Sequence, residues 1–171
     1  LLKTTVKEKQ ILVPGGVSYR VLVLPDHRVL SLAALHQVER LLQQGATDIG
    51  AKPERLVSLV GGAEAQAQFH AIADRLWGKA PGPQGMATVG AGRLFWGKTA
   101  REVLQADGIP VDCLVEDGAE PAFQTIHYRI GNQEVYIVAN QTEATIERDC
   151  LFRVQGMQPE LWDPVTGAIR D

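Results

Sequence analysis

Long apolar runs, a cysteine framework and a surplus of basic charge are all missing from these 171 residues. No apolar stretch approaches the ~18 residues a membrane-spanning helix needs, so none is indicated. Seventeen Lys and Arg against twenty Asp and Glu leave a net charge of -3. That balance offers no basic field for nucleic acid and no cationic cluster for an anionic membrane surface. Only two cysteines occur, Cys113 and Cys150, far apart and without metal-ligand spacing. Both sit in apolar strand-like runs and read as buried free thiols. The first ten residues, LLKTTVKEKQ, carry neither an initiator Met nor a signal-peptide pattern. The expectation is an excised piece of a longer protein. Internal repeats and low-complexity tracts are absent as well.

What remains is an ordinary globular composition, 45 % apolar and 22 % charged, with length enough for one domain or a domain and part of another. The organising stretch runs from Tyr19 to Ala51. Val21 to Leu24 is a short apolar run halted by Pro25-Asp26, which suits a strand covered on both faces. Ser31 is placed to cap a helix on which Leu35, Val38, Leu41 and Leu42 share one face, and Gly45 supplies its left-handed stop. Ala46 to Ile49 then reads as a second strand. Strand, helix, strand predicts a parallel pair with a right-handed crossover, and hence an α/β fold.

Before that unit, Thr4 to Val13 reads as a hairpin. After it come an apolar run at Leu56 to Val60 and a helix from about Glu64 to Trp77, with Ala65, Phe69, Ile72, Ala73 and Leu76 on one face, that stops at Gly78. Met86 to Val89 and Arg93 to Trp96 read as strands joined at Gly90-Ala91-Gly92. Thr99 and Glu102 form a capping box for a third helix, and Val111 to Val115 is the last strand assigned to the α/β layer. At the acidic turn Glu116 to Pro121 the character changes. Alternating apolar positions on either side of Gly131-Asn132 predict a hairpin, and Asp163-Pro164-Val165-Thr166-Gly167 is a strong turn signal. This second half reads as all-β and too short for a full sandwich, which usually needs about seven strands.

Ligands in open α/β sheets bind beyond the carboxyl ends of strands, which singles out Asp26, His27 and Arg28 as candidate contacts with a ligand or a neighbouring domain. The plainer alternative is a strand-to-helix loop whose polar groups cap backbone. No catalytic residue is assigned. Serines and cysteines lack a G-x-S-x-G elbow, and the glycine pairs lack a phosphate-loop pattern. His36, His70 and His127 read as surface or boundary residues, and without an H-E-x-x-H pair no zinc or other metal site is expected. Glycoside hydrolysis needs two facing carboxylates, and Asp26 is the one acid placed at a strand's carboxyl end. Trp96 and Trp162 are of a type that stacks on sugars, but in strand runs they read as core. No cofactor is expected.

The runs SYRVLVLPDHRVLSLAALHQVERLLQQGAT, ADRLWG, GAGRLFWGKTAREVLQADGIPVD, IHYRIGNQEVYIVANQT and QPELWDPVTGAIRD, in this order, make nearly the whole chain similar to part of bacterial α-L-rhamnosidase-type glycoside hydrolases. The resemblance implies the region following a catalytic barrel. Its implied fold is a flavodoxin- or glutamine-amidotransferase-like parallel sheet with flanking helices over residues 1–117. A short antiparallel β module, a truncated β-sandwich, follows over 118–171. It further implies a parent enzyme that releases L-rhamnose with a carboxylate pair in its barrel, with calcium nearby and a periplasmic or secreted address. No stretch here matches the barrel, and the amidotransferase nucleophile is lacking. The expected role is therefore a non-catalytic accessory region with the barrel or another subunit as partner and carbohydrate at its rim. The competing expectations are a free-standing carbohydrate- or protein-binding module and a small hydrolase in its own right.

Overall fold

Turn chemistry shapes the first residues. β1 (Thr5–Lys7) and β2 (Gln10–Leu12) pair antiparallel about Glu8 and Lys9, whose φ angles of 53° and 61° lie in the left-handed region. β3 (Ser18–Tyr19) extends this small sheet. The central apolar run contributes only β4 (Leu22–Val23) to a ladder, and β5 (Val29–Leu30) follows the Asp26-His27-Arg28 loop.

α1 (Leu32–Gln43) begins where Ser31 Oγ accepts a hydrogen bond from the Ala34 amide at 3.1 Å. Leu35, Val38, Leu41 and Leu42 are all fully buried, the face expected from their spacing, and Gly45 at φ 108° turns the chain out of the helix. Ser31→Ala should cost about 1 kcal/mol in chemical denaturation, with Ser31→Asp retaining most of the stability. An unchanged midpoint for the alanine variant would show that the cap contributes nothing.

β6 (Thr47–Ile49) pairs parallel with β4, so the crossover through α1 exists, and β7 (Arg55–Leu56) pairs parallel with β5 as a separate two-stranded sheet. The remainder of the apolar run expected there is not a strand: Leu59 and Val60 are exposed. α2 (Gly62–Trp77) buries Phe69, Ile72, Ala73, Leu76 and Trp77. β8 (Gly85–Val89) and β9 (Gly92–Trp96) form an antiparallel pair, and β9 also lies parallel to β6. α3 (Ala100–Ala106) starts at the expected capping box, in which the Thr99 amide donates to Glu102 Oε2 at 2.7 Å and the Glu102 amide to Thr99 Oγ1 at 3.2 Å. The main core gathers Leu35, Val38 and Leu42 of α1, Phe69 and Leu76 of α2, and Leu94 of β9. A second cluster holds Ile49, Phe95 and Val103.

The structure, a computed structural model, describes residues 1–115 and 122–170, and the chain divides into two units, Leu1–Ala106 and Asp107–Asp171. The acidic turn Glu116 to Pro121, and with it the boundary expected between 117 and 118, lies outside the described residues. The flavodoxin- or glutamine-amidotransferase-like parallel sheet with flanking helices does not form. In its place the first unit holds a mixed sheet of order β4-β6-β9-β8, a three-stranded antiparallel sheet and the two-stranded β5-β7 pair, with three short helices. The physical reason lies in the strands: parallel pairing through a helix occurs twice, β4–α1–β6 and β6–α2–β9, but β8 enters antiparallel through a hairpin and the strands of the mixed sheet are only two to five residues long.

In the second unit β10 (Cys113–Val115) is followed by β11 (Phe123–Ile130), β12 (Gln133–Asn140), β13 (Cys150–Phe152), β14 (Leu161–Trp162) and β15 (Ile169–Arg170). β10, expected in the α/β layer, instead pairs antiparallel with β13, which places Cys113 and Cys150 on one face as half-buried free thiols. β11 and β12 form the expected hairpin, with Ile130 opposite Gln133 across Gly131-Asn132. β14 and β15 pair around Asp163, whose carboxylate accepts the amides of Val165 and Thr166 at 2.8 and 3.1 Å. Those two hydrogen bonds hold the Asp163 carboxyl below the usual carboxylate range. Val115 is the one buried apolar side chain of this unit among the described residues.

Candidate functional site

The carboxyl ends of β4, β6 and β9 meet at one edge of the mixed sheet, and a cleft of about 400 Å³ opens there. Each strand delivers a charged residue just past its end: Asp26 and Arg28 after β4, Lys52 after β6, Lys98 after β9. Pro81 and Pro83 form part of the wall, and Trp96 completes it. The half-buried Trp96 ring lies over Gly85, where an added Cβ would come within 2.2 Å of the indole. Its Nε1 donates to the Gly82 carbonyl at 3.1 Å, tying the proline-rich loop to the strand.

Most of the charge in this cleft is already engaged. Lys52 Nζ donates to Asp74 at 2.5 Å and to the carbonyls of Gly78 and Lys79 at 2.7 and 2.9 Å, an ammonium capping the carboxyl end of α2. The same hydrogen bond holds the Asp74 carboxyl below the usual range. Arg28, itself at φ 52°, pairs with Glu54, whose amide donates to the Arg28 carbonyl at 2.8 Å. That pair is solvent-exposed and contributes little to stability. Asp26 and Lys98 are exposed and hydrogen-bonded to no other side chain among the described residues; the Lys98 ammonium lies 5.7 Å from the Phe95 ring centroid.

Of the three residues expected from the sequence, Asp26 and Arg28 line the cleft and His27 does not. His27 Nδ1 accepts the Val29 amide at 3.2 Å and thereby serves the turn. Lys52 and Lys98 were legible by the rule that selected Asp26, since they too follow the carboxyl ends of parallel strands. Trp96 is both core and cleft wall, whereas Trp162 is exposed. His127, expected on a polar face, places Nε2 2.8 Å from Glu134 and Nδ1 3.3 Å from Asp112 and stacks on Tyr136.

One acid escapes the sequence reading. Asp48, in the middle of β6, is fully buried opposite Leu22 and Leu94, and neither carboxylate oxygen has a partner among the described residues. Burial raises its carboxyl to about 7. With no solvent exposure it cannot face a substrate, so Asp26 is the one carboxylate among the described residues lining the cleft. Likewise no group of three His, Cys, Asp or Glu side chains able to hold a metal ion occurs among the described residues, so the calcium implied for a parent enzyme finds no ligand set of that kind here.

A rhamnosidase from Novosphingobium sp. PP1Y, of solved structure, matches with a TM-score of 0.81 and 29 % identity over 98 % of this chain and 16 % of its own. A Formosa agariphila protein, provisionally named a beta-glucuronidase, is 28 % identical over 165 residues, 96 % of this chain and 13 % of its own length. The chain therefore spans less than a fifth of either protein. The family profile described as alpha-L-rhamnosidase matches residues 1–171 without remainder, and the chain belongs to that glycoside hydrolase family, number 106.

Proposed function

We propose that this chain is a non-catalytic accessory region of an α-L-rhamnosidase-type glycoside hydrolase, contacting the catalytic barrel or another subunit and lining the rim of a sugar site. The observation that carries the reading is that Asp26 is the one carboxylate lining the cleft among the described residues. Both retaining and inverting glycosidases ordinarily use two carboxyl groups across the scissile bond, about 5–5.5 Å or about 6.5–9.5 Å apart. Asp48, the other acid of the mixed sheet, is sealed in the core.

Two further observations support a contact role. Ile126, Tyr128, Ile130 and Ile137 share one face of the β11–β12 hairpin and are each more than half exposed, an apolar surface of the kind that meets another protein surface. Moreover, the region is shared by relatives whose names assign them different sugars, a rhamnoside and a glucuronide, which favours a supporting role over the choice of glycone. The chain incubated with p-nitrophenyl α-L-rhamnopyranoside is expected to release nitrophenol at the buffer rate. Turnover above that rate that disappears in Asp26→Asn would overturn the reading and make the chain a hydrolase in its own right.

A further inference from the structure

We infer that the cleft at the carboxyl ends of β4, β6 and β9 binds a neutral, polyhydroxylated ring, a pyranose unit of a glycan, without cleaving it. The inference rests on the accessory reading for the choice of a glycan and on the cleft's own chemistry for the rest. At about 400 Å³ the volume lies within the range of small-ligand sites, about 300–1,000 Å³. Its position beyond the carboxyl ends of parallel strands is where open sheets take their ligands.

The charge pattern decides between a neutral and an anionic ligand. Three cations and one acid line the cleft, which at first sight favours an anion. Arg28, however, is committed to Glu54, and Lys52 is committed to Asp74 and two carbonyls at the end of α2. An anion would have to compete with Asp74 and two carbonyls for Lys52 and with Glu54 for the exposed Arg28, with the Asp26 carboxylate lining the same cleft. Among the described residues, the two cleft groups without a hydrogen-bond partner are one acceptor, Asp26, and one donor, Lys98, whose ammonium lies near the Phe95 ring. A hydroxyl both donates and accepts, so a ring carrying several hydroxyls satisfies both groups at once. Trp96, Pro81 and Pro83 add apolar wall for the C–H faces of such a ring. The wall is preformed, since the indole is fixed by Gly82 and packed over Gly85.

The test is an amide-detected NMR titration of the 171-residue chain with methyl α-L-rhamnopyranoside, with inorganic phosphate as the anionic control. Expected are saturable shifts at Gly50, Gly82 and Gly97, with a Kd on the order of 1 mM, and at least tenfold weakening in Asp26→Ala and in Lys98→Ala. Both side chains are exposed, so the spectra of these variants should otherwise match the parent. Three results would each overturn the inference: no saturation by about 100 mM glycoside, saturation by phosphate but not by the glycoside, or saturation indifferent to both substitutions. An intact but unbound probe defeats this inference alone, whereas a hydrolysed probe defeats the accessory reading.

Discussion

At pH 8 the Asp48→Asn variant is expected to be more stable than the parent chain by about 4 kcal/mol, and near pH 4 the two should be nearly equal. Asp48 is fully buried in β6 with both oxygens unpartnered, and burial raises its carboxyl from 3.8 to about 7. The raised value fixes the sign. Between the unfolded and folded values the folded state holds a proton that the unfolded chain has released, so the protonated carboxyl favours folding fully below about 4. That contribution is lost as pH rises toward 7. Each pH unit in this window is worth about 1.4 kcal/mol, and roughly three units separate the two values. Asn occupies the same volume and cannot ionise, so its stability should not follow this slope. Urea denaturation of both proteins from pH 4 to 8 reads the difference directly. Parallel curves would mean that the carboxylate is hydrated or paired in the folded chain.

A large loss is expected from Gly92→Ala, about 3 kcal/mol. A Cβ built on Gly92 would lie 2.3 Å from the Leu42 carbonyl oxygen and 2.6 Å from that of Ala46. Both are backbone atoms, Leu42 in the last turn of α1 and Ala46 just before β6, and the Ala46 carbonyl accepts the Arg93 amide at 2.9 Å. Relief therefore requires β9 to move off the helix terminus that registers it, which disturbs the β6–β9 ladder and the Leu94 contacts behind it. Gly82→Ala is the control. Its Cβ would meet nothing nearer than 3.8 Å, and a change within about 0.5 kcal/mol is expected. Equal thermal midpoints for Gly92→Ala and the parent would show that the close approach is not a constraint.

These two positions also mark where sequence patterns stop informing. Helix faces were legible because burial at three- and four-residue spacing leaves a pattern: Leu35, Val38, Leu41 and Leu42 on α1, Phe69, Ile72 and Leu76 on α2. Caps were legible because they use specific side chains, as Ser31 and the Thr99–Glu102 pair do. Strand partners were not. The apolar run Cys113 to Val115 carries no mark of whether its neighbour is a parallel strand or β13, and the crossover through α1 predicted an α/β fold without revealing that antiparallel β8 interrupts the flavodoxin-like sheet the resemblance implied. Asp48 was hidden for a similar reason: between Thr47 and Ile49 an acid resembles the exposed face of a strand, and only the layers on both sides bury it. At the cleft, the strand-end rule reached Asp26 and Arg28, and the same rule extends to Lys52 and Lys98 only once β6 and β9 are known to lie parallel to β4.

The most direct measurement is the anomeric proton spectrum of methyl α-L-rhamnopyranoside held with the chain for a day at millimolar concentration. The account predicts saturation transfer from protein to the glycoside ring, no free L-rhamnose signals, and loss of the transfer in Asp26→Ala. Free L-rhamnose accumulating in proportion to the chain, and abolished by Asp26→Asn, would contradict it, because the cleft would then be breaking the bond it is proposed only to hold.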